Sequence, residues 1–252
     1  MRVIDRVSGS FARIGERGYF AADIVRALPD WRTYGVETVR QMRNIGVGSV
    51  PLTVIVAAFI GAVTAFQTRY QLFGGVQLSV VGLISRQSII LELGPLLTAL
   101  VLTGRVGARI TAELGTMRVT EQIDALTALG TEPVQYLMVP RVAASIMMMP
   151  LLVIMGDAVG IFGGYLVAVK LLGVNPVRYV ENSFQFLHLG DDIVSGLIKA
   201  AVFGLIFSLI ACVRGYYTSG GAEGVGKSTT RAVVSGSLSV LFADFFLTKL
   251  LF

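Results

Sequence analysis

Hydrophobic positions along this chain gather into five long runs, and few charges interrupt them. No charged residue stands between Arg43 and Arg69, only Glu92 between Arg86 and Arg105, and only Asp157 between Arg141 and Lys170. The last two runs, 193–213 and 232–248, carry only Lys199 and Asp244. A helix rises about 1.5 Å per residue, so about 20 residues cross a hydrocarbon core about 30 Å thick. Each run reaches that length, or nearly so with its flanks. The pattern predicts an all-α membrane protein with five transmembrane helices.

Ahead of the first run the pattern changes. Ile4, Val7, Phe11, Ile14, Phe20, Ile24 and Leu28 recur mostly at three- and four-residue steps among arginines. That spacing predicts an interfacial amphipathic helix over 4–28. Pro29 would stop it, since the residue before a proline is pushed out of the helical region. A soluble amphipathic arm is the alternative. Eight arginines precede the first run, so the N-terminus does not read as a cleavable signal.

Composition fits a membrane chain: 54% hydrophobic and 15% charged residues, against about 25% charged in soluble domains. One domain over 1–252 is expected, with an interfacial region over 1–43 and a five-span bundle over 44–252. Five crossings with the N-terminus inside place fifteen lysines and arginines on the cytoplasmic side. Only Arg69, Arg86, Lys170, Arg178 and Lys249 fall outside, and Lys199 lies within a span. Basic residues near helix ends are retained in the cytoplasm, so the N-terminus is expected inside and the C-terminus outside. The net charge of +5 then meets anionic lipid headgroups and requires no nucleic acid.

Small residues repeat every fourth position, as Ala57, Gly61 and Ala65 and again as Gly156, Gly160 and Gly164. Such stripes let helix backbones approach in lipid. They predict a compact bundle and name no function.

The segment between spans two and three is more specific. The second helix is expected to run past the membrane to about Gly115. Thr120 can cap a short helix, with Glu121 and Asp124 near its positive end. Ile123, Leu126 and Leu129 form an apolar stripe and Gly130 ends the helix. Pro133 then opens the next one. A helix this short is unstable alone, so it docks either in a groove of a soluble partner or back on its own bundle.

The run from Glu92 to Leu126, ELGPLLTALVLTGRVGARITAELGTMRVTEQIDAL, closely resembles the signature of the MlaE family. So do 130–141, GTEPVQYLMVPR, and 229–234, TTRAVV. Members are permease subunits of ABC transporters that move phospholipids or related lipids with MCE-domain proteins. The resemblance implies a homodimer in a bacterial inner membrane, with no catalysis of its own. ATP and magnesium would sit on a separate ATPase subunit. A coupling helix over 120–129, with Thr120, Glu121, Gln122, Ile123, Asp124, Leu126 and Leu129, would dock on that ATPase. The lipid would occupy a cavity between the two permeases, open to the non-cytoplasmic side, with Glu92, Leu93 and Leu97 as candidate contacts. Members often carry Arg before the Glu of E-L-G-P; Leu91 stands there in this chain.

Residues 221–228, GAEGVGKS, satisfy the phosphate-loop pattern G-x-x-x-x-G-K-[ST]. Its chemistry needs a strand before the loop and a helix after it. The preceding segment reads as a membrane span, so a Gly-rich cytoplasmic loop without nucleotide is expected. Glu92, Asp157, Lys199 and Asp244 lie within spans, where a charge costs about 2.5–3.5 kcal/mol and faces a cavity or another charge. Lys199, Asp157 and Asp244 are expected to pair structurally, Lys199 with either carboxylate. A proton or ion relay through these residues, in a secondary transporter, is the alternative function. No internal repeat of the kind such carriers use is visible. One histidine, His188, and one cysteine, Cys212, make no metal site, and no H-E-x-x-H is present. Residues 175–190 are expected to hold a short outer helix.

Overall fold

The structure, a computed structural model, describes residues 15, 18–28, 31–72, 80–184 and 192–251. Five helices in it are long and apolar enough to cross a membrane: Tyr34–Gln71, Val80–Val119, Val134–Lys170, Val194–Tyr216 and Gly221–Leu251. No strand occurs among the described residues.

A helix over 18–27 (α1) is the described part of the expected amphipathic segment; Ile4, Val7, Phe11, Ile14 and Pro29 lie outside the described residues. Ile24 is fully buried in the main core and Phe20 packs against it. Phe20 also stacks on Tyr216 at 4.6 Å between ring centroids. The inner stripe of α1 therefore rests on the bundle, while Tyr19 and Val25 stay exposed.

The first span begins earlier than the charge-free run. Helix α2 (Trp31–Met42) continues through a π-turn at Arg43–Val47 into α3 (Gly48–Gln71). Arg43 is thus internal to one long helix, because a basic side chain can snorkel to the headgroups without ending the backbone ladder. The second span comprises α4 (Val80–Ser88), a π-turn at Ile89–Leu93, α5 (Gly94–Leu102), a π-turn at Thr103–Gly107 and α6 (Ala108–Val119). Its 40 residues reach about 60 Å, twice the hydrocarbon thickness, so one end projects well beyond the membrane. Helix α7 (Gln122–Ala128) follows, then a π-turn at Val134–Met138 and α8 (Val139–Lys170). A short helix α9 (Pro176–Phe184) precedes α10 (Val194–Tyr216) and α11 (Gly221–Leu251). Asn175 caps α9, its side-chain carbonyl accepting from the Val177 and Arg178 amides at 3.0 and 3.3 Å. The expected short helix is therefore present over 176–184, and 185–190, with His188, lies outside the described residues.

The two small-residue stripes meet each other. A Cβ on Gly164 would stand 3.1 Å from the Gly61 carbonyl oxygen, and one on Gly160 3.3 Å from that of Ala57. Helices α3 and α8 thus touch backbone to backbone, where dispersion and Cα–H···O contacts replace the missing hydrophobic drive. The main core joins Leu102, Leu114, Val142, Met149, Phe203, Phe207 and Val240 from the later spans. A second cluster at the opposite end gathers Ala65, Val81, Ala168, Val174 and Tyr179. Tyr179 lies outside the spans, and burial pushes its phenol up to about 12, so it is neutral at any physiological pH.

Candidate functional site: a buried charge cluster and an anchored short helix

Lys199 on α10 is 0% exposed, and its ammonium organises three helices. It pairs with Glu92 Oε2 at 2.6 Å and with Asp244 Oδ1 at 3.2 Å. It also donates to Thr248 Oγ1 at 2.7 Å and to the Leu91 carbonyl oxygen at 3.2 Å. That last bond has a local cause. Pro95 has no N–H to offer the preceding turn, where the π-turn at Ile89–Leu93 already shifts the backbone bonds and the Gly94 amide reaches back to Ile89. The Lys199 ammonium supplies a donor there, so the Glu-Leu-Gly-Pro turn and the intramembrane lysine complete each other.

Two carboxylates converge on one ammonium, and Glu92 remains 38% exposed while Lys199 and Asp244 are enclosed. Glu92 is the member that another molecule can reach. Leu93 and Leu97 lie on the same stretch and are half-buried. The expected pairing of Lys199 with Asp244 is present, and Glu92 joins it. Asp157 does not take that role. Its Oδ1 packs against Gly94, where any Cβ would collide with it, and has no hydrogen-bond partner.

Helix α7 is held at the opposite end. Glu113 links Arg109 at 2.7 Å to Arg141 at 3.4 Å, tying α6 to α8. Arg118 pairs with Asp124 and lies over the Tyr216 ring, 5.5 Å from its centroid. Ile123 is 1% exposed within the main core, and Leu126 packs against it. Leu129 is 80% exposed. The apolar stripe is therefore divided: Ile123 anchors the helix on its own bundle and is closed to any partner. Glu121, Gln122, Asp124, Ala125, Ala128 and Leu129 form the outward surface.

Thr120 is not the cap. Its hydroxyl donates back to the Thr116 carbonyl at 2.8 Å, and the capping position falls to Glu121, which makes no side-chain cap bond. Glu121 has φ +60°, and no other described non-glycine residue has a positive φ. A left-handed L-residue costs about 1–2 kcal/mol, and such outliers concentrate where function retains them. Replacing Glu121 with glycine is expected to raise the unfolding free energy by about 1 kcal/mol, as read from thermal unfolding of the purified protein. The end of α7 is as expected. Gly130 has φ +77°, the Thr131 amide donates to the Leu126 carbonyl at 3.1 Å, and the Gly130 amide donates to that of Thr127 at 3.0 Å. This is a Schellman closure.

Residues 221–228 are not a loop. They form the first turns of α11, and α10, a helix, precedes them. Gly220 and Gly221 have φ +92° and +66°, and a Cβ on Gly224 would strike the Ser219 carbonyl. The glycines serve the turn between two spans, and Lys227 pairs with Glu223 at 2.5 Å. The strand that a phosphate loop requires is absent here. Among the described residues no group of histidine, cysteine, aspartate and glutamate could hold a metal ion.

Five apolar helices, a lysine-centred charge cluster in the bundle and a short anchored helix beyond one end define a polytopic helical membrane protein. The family profile Permease MlaE matches residues 38–250. The chain belongs to the MlaE permease family. A probable ABC transporter permease of Rickettsia typhi is 46% identical over 219 residues, covering 85% of this chain and 82% of its own length. One of Synechocystis is 42% identical over 216 residues, with 85% and 81% covered. The intermembrane phospholipid transport system permease protein MlaE of Haemophilus influenzae is 35% identical over 245 residues, with 96% and 93% covered.

Proposed function

We propose that this chain is the membrane subunit of an ATP-driven transporter that moves phospholipids or related lipids. It works as two copies with a cytoplasmic ATPase and an MCE-domain protein on the other side. The N-terminus and α7 lie in the cytoplasm and the C-terminus outside, in a bacterial inner membrane. ATP and magnesium belong to the ATPase, and this chain performs no catalysis. The lipid headgroup reaches the exposed side of Glu92, next to Leu93 and Leu97.

The observation that carries this reading is the construction of α7. One side is fixed by Ile123 in the core and by Asp124 on Arg118, while the other presents Glu121, Gln122 and Leu129 outward. A short helix bolted to the bundle transmits force in both directions, which is what an ATPase groove needs. An ion-driven carrier has no use for such a face. The phospholipid cargo is supported by the 35% identity to the Haemophilus influenzae protein.

Leu129→Asp tests the reading, because Leu129 is exposed and its change leaves the core untouched. Tagged protein purified in mild detergent is expected to bring down a near-stoichiometric soluble ATPase, and Leu129→Asp to reduce it at least tenfold at equal permease yield. No ATPase with the intact wild-type permease would overturn the assignment and favour the ion relay through Glu92, Lys199 and Asp244.

A further inference from the structure

A second charged group sits in the bundle with no use in the cluster described above. Arg86 on α4 is 3% exposed, and its Nε and Nη1 have no hydrogen-bond partner. It lines a cavity of about 210 Å³ with Ile154, Asp157, Ile161, Ser183 and Phe184. That cavity continues into an apolar groove of about 280 Å³ between α8 and α9, walled by Ala158, Phe162, Tyr165 and Val180. The two share Ala158, Ile161, Ser183 and Phe184.

Guanidinium nitrogens buried without a hydrogen bond are costly even with a carboxylate, Asp192, nearby, and their fixed donors match phosphate oxygens. Arg86 lies in the second turn of α4, beside α9, at the end of the bundle away from α7. A charge at that depth is within reach of headgroups, and the groove beyond it has the chemistry of an acyl chain. Asp157 lines the same cavity and Asp192 lies near Arg86, and a phosphate would take the two guanidinium nitrogens, Nε and Nη1, that neither carboxylate bonds.

We infer that each copy of the chain holds one anionic phospholipid on this flank, its phosphodiester on Arg86 and one acyl chain along the α8–α9 groove. The site shares no residue with the Glu92–Lys199–Asp244 cluster and does not rest on the transport reading. It is a lateral lipid seat that adds a ligand to the contacts which Tyr179 and Ser183 already make between α9 and the bundle.

The test uses the full-length protein in membranes containing phosphatidylglycerol with a diazirine on one acyl chain. After irradiation the protein is purified and labelled peptides are mapped. Label is expected on peptides containing Ile161, Phe162 or Phe184, reduced at least tenfold in Arg86→Gln. Ala158→Phe, an exposed position lining both cavities, fills the groove and is expected to remove the label with the arginine intact. Should Arg86→Gln fail to fold, Ala158→Phe decides alone. Diacylglycerol carrying the same chain separates headgroup from tail, and equal labelling by it would overturn the assignment. So would label elsewhere only, or label on α8 and α9 that neither substitution changes.

Discussion

Replacing Lys199 with methionine is expected to destabilise the protein by about 3 kcal/mol or more. Removal of one member of a buried ion pair typically costs about 3–5 kcal/mol, because the partner charge stays behind unpaired. Here two carboxylates and the Leu91 carbonyl lose one ammonium together. Glu92 is partly exposed and recovers some solvation, which places the cost toward the lower end of that range. Methionine keeps the volume, so the loss is electrostatic and not a cavity. The triple variant Glu92→Gln, Lys199→Met, Asp244→Asn removes every charge and is expected to recover most of the stability. Thermal unfolding in mild detergent, with size-exclusion profiles as a check on folding, measures both. Wild-type stability of Lys199→Met alone would show that the cluster contributes nothing to the fold.

The sequence left the partner of Lys199 open between Asp157 and Asp244, and depth along the helices does not decide it. Lys199 lies five residues into α10, and Asp244 seven residues from the end of α11, about 8 and 10 Å along their helices. Asp157 packs against Gly94, two residues from Glu92, so it lies near the level of the cluster and is kept from the lysine by the side of the bundle that it faces. Glu92 was not expected as the lysine's partner, because the π-turn at Ile89–Leu93 rotates its side chain relative to a regular helix. The apolar stripe of α7 shows a different limit. Each three-residue step falls about 60° short of a full turn, so Ile123 and Leu129 stand about 120° apart. One reaches the core and the other cannot. The left-handed Glu121 had no signal at all, since glutamate is a poor residue for that conformation. The spans themselves were readable because a lipid solvent tolerates little but apolar residues over such lengths.

Gly61→Val is the second large expected effect, and its cause is steric. A Cβ on Gly61 would overlap the carbonyl group and Cα of Gly160. The obstacle is backbone, which cannot turn aside as a flexible side chain does. The collision therefore separates α3 from α8 along their whole contact, including the approaches of Gly164 to Gly61 and Gly163 to Ala58. Overpacking a tight interior costs about 1–3 kcal/mol, and the upper figure is expected because every neighbouring small-residue contact loosens at once. The same separation pulls Asp157 on α8 away from Gly94, beside the turn that carries Glu92. Gly226→Ala is the matched control. It lies in α11 with nothing within 4 Å of its added Cβ, so it is expected to leave stability unchanged or raise it by up to about 1 kcal/mol through helix propensity. Thermal unfolding of the two variants side by side separates packing from propensity. Equal stability of Gly61→Val and wild type would mean that α3 and α8 do not meet backbone to backbone, and the small-residue stripes would then need another partner, a second copy of the chain being the first to examine.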